Sequence, residues 1–596
     1  MKDFVITNGS LTSYVGADRD VTVPEGVTRI ENYAFQDRED IRTLTLPEGV
    51  TTVCEDALFG CSLLTELTVP STLTNIEAGA LCSCTRLKSL NISENNPAYK
   101  TVDGNLYSKD GKTLCACANG SMSFTLALPD GVERIERKAF QSSKISFIAF
   151  PKELTEIGDW AFAGCKCLSA LTLPQGVRRI GARAFHDCSF LKSAAIPESV
   201  EEIGAGAFAH CTVLSDITVS EDNPLFLSVD GVLYGDGGRT LLAYPMGSRR
   251  THFTVPDGVE RIANSAFYGS GKLKTVSLPK GLRELGEYAF FTCSALEEIR
   301  LPEGVTSIGS GAFGCSVSLK TAVIPKGVTE IPDGCFAVCR ALTDVTLPEG
   351  AVRIGKNAFE FCVTLADIRI PDSVRVIDRR AFTECRALRS PFLPESLTEI
   401  GAQAFKDCRS VTEITLPNNT RCVFDSAFED CSALHTVNLP NSSVSLHKYL
   451  FYKCEALTSV TVPEGVKEVT ADTFAECPNL KIIRISAEKL KSLSETTARK
   501  HIPLIAGIRG CLEAGITSER DKTLVARQIS AHKRECVSAL AEYPPFIRLI
   551  SDRGLIDVRE AEEILNLCRN TECRAIMLEY LKCDGDRPPK ENYFIE

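Results

Sequence analysis

The sequence predicts an α/β-type repeat solenoid, built of strand-rich coils with short turns and helical segments, followed by a small all-α C-terminal domain. Three observations carry this. First, a proline followed by a small turn recurs at Pro24, Pro47, Pro70, Pro129, Pro151, Pro174, Pro197, Pro256, Pro279, Pro302, Pro325, Pro348, Pro371, Pro394, Pro417, Pro440 and Pro463, nearly always 23 residues apart. A fixed period in this range marks one supersecondary unit per repeat. Second, apolar residues fall at the same phase after each proline. Third, the beat stops after Ile485, and three-to-four apolar spacing replaces it.

The opening FVITNGSLTSYVG reads as a hairpin, so residues 1–23 are expected to cap the first coil. Residues 24–486 are expected to form about 17 coils. With Pro302 as phase zero, Leu301-Pro302-Glu303-Gly304 suits a type I turn with Pro second and Gly last. Val305 and Ile308 belong to a short extended piece, and Ala312-Phe313 stand at phases ten and eleven. Phase eleven is Phe in nearly every coil, with Leu58 and Leu81 as early exceptions, which predicts a continuous aromatic spine. Leu64, Leu67 and Val69 precede Pro70 as L-x-x-L-x-L-P, with Leu64, Leu67 and Val69 facing inward. A lone coil buries too few side chains to offset chain ordering, so stability has to come from stacking.

The combination AF-x-x-C-x-x-L, then L-x-L-P-x-G-V-x-x-I-G, resembles the BspA-like leucine-rich repeat family from about residue 20 to residue 485. The resemblance implies a bacterial or protist surface protein that binds host proteins or other cells. Two proline intervals of 59 residues hold extra modules, NPAYKTVDGNLYSKDGKTL and NPLFLSVDGVLYGDGGRTLLAYP. Strand, glycine turn (Asp110-Gly111; Asp236-Gly237) and strand predict a hairpin insertion near 93–125 and another near 220–252. In the tail, residues 487–596, four to six short helices are expected, with Asp557 and Glu560 at capping-box spacing. GLIDVREAEEILNLCRNTECRAIMLEYLK looks like an ankyrin-type helix pair.

The net charge is −11, and all of the excess acid lies before the tail, because residues 487–596 hold 18 basic and 18 acidic residues. This argues against nucleic acid as a partner. No run approaches a membrane span, and MKDFVITNGSLTSY shows no apolar leader, so the chain is expected to be cytoplasmic. Of 26 cysteines, thirteen fall at phase fourteen: Cys61, Cys84, Cys165, Cys188, Cys211, Cys293, Cys339, Cys362, Cys385, Cys408, Cys431, Cys454 and Cys477. Cysteine at one phase of every coil reads as a compact buried apolar side chain and not as a disulfide framework.

No nucleotide, hydrolase or zinc-protease motif is present, and Asp103 with Asp110 lacks the spacing of a calcium loop. The pairs Cys82/Cys84, Cys115/Cys117 and Cys165/Cys167, and the adjacent-coil His186 and His210, lack further ligands. The reading is therefore no catalytic, cofactor or metal residue. The expected solvent-facing columns are basic at phase eighteen (Lys192, Lys320), acidic at nineteen (Asp216, Glu413) and threonine at twenty-one (Thr68, Thr415). Aromatics at the variable phases nine and twelve are the candidate protein-binding residues: Tyr268, Tyr288, Phe291 and Trp160. These features predict a non-enzymatic protein–protein interaction scaffold with a protein partner. The alternative is a cell-surface adhesin, implied by the resemblance, and the third reading is an enzyme or effector carried by the tail.

Overall fold

A computed structural model describes residues 3–118, 120, 124–493 and 502–582. The chain forms two compact units, Met1–Leu296 with Ser307–Ser316, and Glu297–Thr306 with Val317–Glu596. Each is a β-solenoid, and the second also carries the helices.

A coil has three sides, each held to the next coil by backbone hydrogen bonds. One side is a two-residue parallel strand at phases five and six. Arg29–Ile30, Thr52–Val53 and Asn75–Ile76 pair in register in the first unit, and Glu330–Ile331, Arg353–Ile354 and Val376–Ile377 in the second. Another is the strand before the proline, such as Asp20–Thr22, Thr43–Thr45 and Glu66–Val69. Its middle residue points inward while phases nineteen and twenty-one face out, as the alternation required.

The third side is the Ala-Phe segment. Its backbone donates to the next coil from phases nine, eleven and thirteen: Trp160 to Ala182, Phe162 to Ala184 and Gly164 to His186, at 2.7–2.9 Å. Phases nine and thirteen adopt left-handed backbone (Trp160 φ 58°, Gly164 φ 71°), which stops a helix from propagating. The segment is thus a chain of turns. Among the described coil residues, 3-10 geometry is confined to Asp236–Gly238 and Ala471–Phe474.

The proline turn differs in register from the expectation. Val305 N donates to Pro302 O at 3.0 Å, so proline stands first and Gly304 third. Proline lacks an N–H and ends the strand, but its carbonyl remains free to close the turn.

The phase-eleven rings are buried and stacked. In the second unit Phe336, Phe359, Phe382, Phe405, Phe428, Phe451 and Phe474 follow one another at 5.2–5.8 Å with planes within 11°. In the first unit the expected continuous spine is broken into two stacks, Phe140 to Phe208 and Tyr244 to Phe313. The break falls at the second insertion, where Tyr244 takes the place of the phenylalanine.

All thirteen phase-fourteen cysteines are buried, and no disulfide forms among the described residues; Cys583 lies outside them. They do more than fill space. The thiol donates to the phase-eleven carbonyl of the preceding coil: Cys188 to Phe162, Cys385 to Phe359, Cys408 to Phe382 and Cys454 to Phe428, at 3.1–3.3 Å. The same residue's N–H donates to its own coil's phase-eleven carbonyl, as in Cys385 to Phe382 at 3.2 Å. Each cysteine therefore clamps two coils. Burial pushes the thiols of Cys61, Cys293 and Cys477 up to about 12, and those of Cys362, Cys408 and Cys454 well above the ordinary range.

Each insertion contains three strands and two hairpin turns, one more of each than expected. Tyr99–Val102, Asn105–Ser108 and Thr113–Ala116 are antiparallel, as are Phe226–Val229, Val232–Gly235 and Thr240–Ala243. The tight turns are Asp103-Gly104 and Asp230-Gly231, with all four φ values positive. Buried Asn96 and Asn223 anchor the modules, each side-chain amide reaching back to the carbonyls of the preceding proline turn. The third strand then supplies phases five and six of a shortened coil, since Thr240–Leu241 pairs in parallel with Arg261–Ile262.

In the tail the helices are α1 (Ile502–Glu513), α2 (Glu519–Ala531), α3 (Lys533–Leu540), α4 (Pro544–Asp552), α5 (Val558–Leu567) and α6 (Thr571–Lys582). The Asp557/Glu560 capping box forms at the start of α5, which pairs with α6. Helix α1 lies directly on the last strand, Ile482–Arg484.

Candidate functional site

The shortened coils lack an Ala-Phe turn, so each insertion leaves a notch on that side of the first unit. The two notches are filled by different chemistry.

At the first, Lys138 reaches back 82 residues. Its ammonium lies 2.9 and 2.7 Å from the two Asp56 carboxylate oxygens and 2.9 Å from Glu55, and Arg137 also pairs with Glu55. The aliphatic stem of Lys138 passes against Gly79, whose missing side chain leaves the room. Cys82 donates to Gln141 Oε1 at 3.3 Å alongside. The Lys138 and Asp56 side chains are only 14% and 10% exposed, so removing one partner strands the other. Lys138→Ala is expected to cost about 3–5 kcal/mol, measured as a fall in the urea midpoint of the full chain; Lys138→Met, which keeps the stem, should cost the same if charge pairing and not packing dominates.

At the second notch Gly206 stands where Gly79 does and Ser265 replaces Lys138, while Arg183 stands where Asp56 does, so no side chain spans the gap as Lys138 does. A cavity of about 210 Å³ remains, against about 10 Å³ at the first. Aromatic rings bridge the coils beside it. Trp160 carries the Arg183 guanidinium 4.7 Å over its ring and meets His186 edge-on at 5.6 Å. His186 stacks on His210 at 5.8 Å, and both meet Tyr268 edge-on, at 6.1 and 5.8 Å. Tyr268 stacks on Phe291 at 5.3 Å, and Tyr288 meets Phe291 edge-on at 5.4 Å. All four sequence-predicted residues thus belong to one row, joined by two histidines that the sequence placed only in adjacent coils. Trp160, Tyr268 and Phe291 are half-buried, and Tyr288, at 37%, is the most exposed of the four.

His186 is held neutral. Burial, with help from the neighbouring His210 and Arg183 charges, lowers its pKa to about 4, and its Nδ1 is buried without a partner. His210 Nδ1 instead lies 3.0 Å from Asp187. A group whose folded pKa lies below its unfolded value of about 6.5 favours folding fully above that value and loses this contribution as pH falls towards 4. The first unit's stability should therefore decline between pH 6.5 and 4. His186→Phe should flatten that part of a urea-midpoint profile, and an unchanged slope would remove His186 as its source.

A second surface feature escaped sequence reasoning. Along part of the phase-five ladder the charge alternates, as Arg134, Glu156, Arg179 and Glu202, and elsewhere an arginine there pairs with acids of the following turn. Arg179 bridges Glu156 and Glu202 at 3.2 Å each and Asp159 at 2.9 Å, and Arg353 bridges Asp333 and Asp378 at 2.8 Å each. Its signal is the repeated Arg-Ile or Glu-Ile before the glycine at phase seven. At phase eighteen, Lys320 compensates Glu297 of the preceding coil at 2.9 Å. Among the described residues there is no cluster of three His, Cys, Asp or Glu suited to a metal ion, and no helix long and apolar enough to cross a membrane.

The family model for the BspA type leucine rich repeat region matches the chain in six copies, over residues 17–108, 116–226, 260–389 and 377–500. Among solved structures, the chain is similar to a leucine-rich repeat protein of Eubacterium ventriosum, with 25% identity over 71% of this chain and 91% of that one and a TM-score of 0.40. It is also similar to one of Bacteroides ovatus, with 27% identity, 62% and 86% coverage and a TM-score of 0.40. A leucine-rich repeat protein of T. pallidum matches at 33% identity over 29% of this chain and 82% of its own, with a TM-score of 0.27. No curated protein matches the chain.

Proposed function

Because this chain belongs to the BspA-type leucine-rich repeat family, we propose that it is a non-enzymatic protein–protein interaction scaffold. The observation that carries this reading is the row Trp160–His186–His210–Tyr268–Phe291–Tyr288 beside the open notch, where large amphipathic rings are held rigidly by their neighbours. Pre-ordered tyrosine and tryptophan lose little side-chain entropy on contact, which is what a protein-binding anchor requires. The outward columns at phases nineteen and twenty-one extend the surface, with one side chain per coil. The bound partner is a protein, and neither a cofactor nor nucleic acid is part of the reading.

The compartment we propose is a reducing one, the cytoplasm. The support is the thiol ladder, because a sulfur that donates its hydrogen to a backbone carbonyl must stay reduced. Capture of partners by the full chain, compared with a Trp160→Ala/Tyr288→Ala variant, tests the row: loss of a specific partner is expected, and an unchanged set counts against it. Labelling of intact cells separates this reading from the adhesin alternative, since an adhesin must be labelled.

A further inference from the structure

Helices α3 and α5 run side by side with their N-termini together. Lys533 at the start of α3 lies 2.8 Å from both carboxylate oxygens of Glu560 on α5. At the other end the Cys568 thiol donates to Ala541 O at 2.9 Å, and Glu542 accepts the N–H groups of Arg569 and Asn570. The helices are thus tied at both ends. Between the ties lies a groove of about 540 Å³. Ala541 and Ile564 are buried at its floor, and Leu567, with 59% of its surface exposed, stands at its rim.

The walls carry opposite charge. Arg534 stands on the α3 side and Glu563 on the α5 side. Both are exposed, and neither forms an ion pair among the described residues. The α3 wall is otherwise low, lined by Ser538 and Ala539. A leucine projecting at the rim of an apolar-floored groove, between a cation and an anion that form no ion pair among the described residues, is self-complementary under a twofold axis. In an isologous interface residue i meets residue j and j meets i. Leu567 of one copy then enters the groove of the other, and Arg534 of each meets Glu563 of its mate twice over.

We propose that the α3–α5 groove is a homodimer interface whose occupant is the same groove of a second copy of this chain. An exposed leucine at the edge of a concave patch with an apolar floor and a charged rim fits such a surface. The reciprocal charge pattern favours a second copy over an unrelated helix, because it supplies both halves of each pair.

The test is the mass of the full chain in solution, by light scattering and sedimentation over a range of concentrations. The expected result is a concentration-dependent dimer. Arg534→Glu and Glu563→Arg should each weaken dimerisation at least tenfold through like-charge contact, and the double swap should restore it. Leu567→Glu should give monomers. Far-UV circular dichroism of each variant separates loss of the interface from loss of the tail. A wild-type chain that stays monomeric at every concentration overturns the proposal. So does a dimer indifferent to Leu567→Glu, or a charge swap that fails to rescue either single variant while the helices remain folded; a heterologous helix would then be the better occupant.

Discussion

Raising the pH from 8 to 10 should unfold the solenoid coils, with a loss of about 1.4 kcal/mol for each buried core thiol. In the folded chain the thiols of Cys61, Cys293 and Cys477 stay protonated, since burial raises them to about 12, and burial holds that of Cys408 well above its ordinary range. In the unfolded chain they ionise near 9. A raised folded pKa gives a contribution that is complete below the unfolded value and is lost as pH climbs through the folded one. Stability should therefore be level to about pH 8.5 and fall steeply through the window from about 9 to 12. Urea midpoints at half-unit pH steps measure this. A chain with Cys385, Cys408, Cys431 and Cys454 changed to serine is the control. Ser316 already stands at this phase, its hydroxyl donating to Phe290 O at 2.9 Å, so serine preserves the inter-coil bond and does not ionise. Its slope should be shallower by four thiols' worth. Equal slopes for the two chains would show that the thiols do not drive alkaline unfolding.

Gly510→Ala should detach α1 from the last coil of the second unit. A Cβ at Gly510 would fall well inside van der Waals contact of the Ile483 carbonyl oxygen, a backbone atom that cannot swing aside. Glycine inside a helix costs about 1 kcal/mol relative to alanine, so its presence here reflects the approach of helix to strand. Overpacking costs about 1–3 kcal/mol and more where backbone must move, and this should exceed the gain in propensity. The Cys511 thiol, which donates to Ile485 O at 3.2 Å, would lose its partner. We expect a lower melting temperature for the second unit and faster alkylation of Cys511 and Cys477. Gly507→Ala is the milder comparison, because its Cβ would meet the mobile ends of Leu493 and Leu490 at 2.8 and 3.0 Å. A Gly510→Ala chain as stable as the parent, with Cys511 still protected, would refute the close-approach argument.

The sequence predicts helices in the tail, but nothing local marks Gly510 as the point where α1 meets the Ile483 carbonyl. Asp557 with Glu560 marks the start of α5 in sequence and in structure alike, because a capping box is local. The thiol bond has a signal in the sequence. Ser316 occupies the cysteine phase and donates as the thiols do, and a hydroxyl in place of a thiol points to a donor where an apolar filler points to alanine or valine; Ser270, at the same phase beside the second insertion, is buried without a partner. The four candidate aromatics were picked out by phase, and the structure joins them, yet His186 and His210 as their links were invisible at the level of spacing.

By itself the sequence determined the coil. A 23-residue period repeats one environment, so phase alone tells core from surface, and this reached the phenylalanine stacks, the outward columns and the end near Ile485. Only the tertiary structure decided what happens where the period is interrupted. Lys138 finds Asp56 across 82 residues, and Tyr268 finds His210 across 58, because a shortened coil brings together neighbours that share no fixed spacing. Those contacts arise from the space a missing turn leaves, and space of that kind belongs to the folded chain.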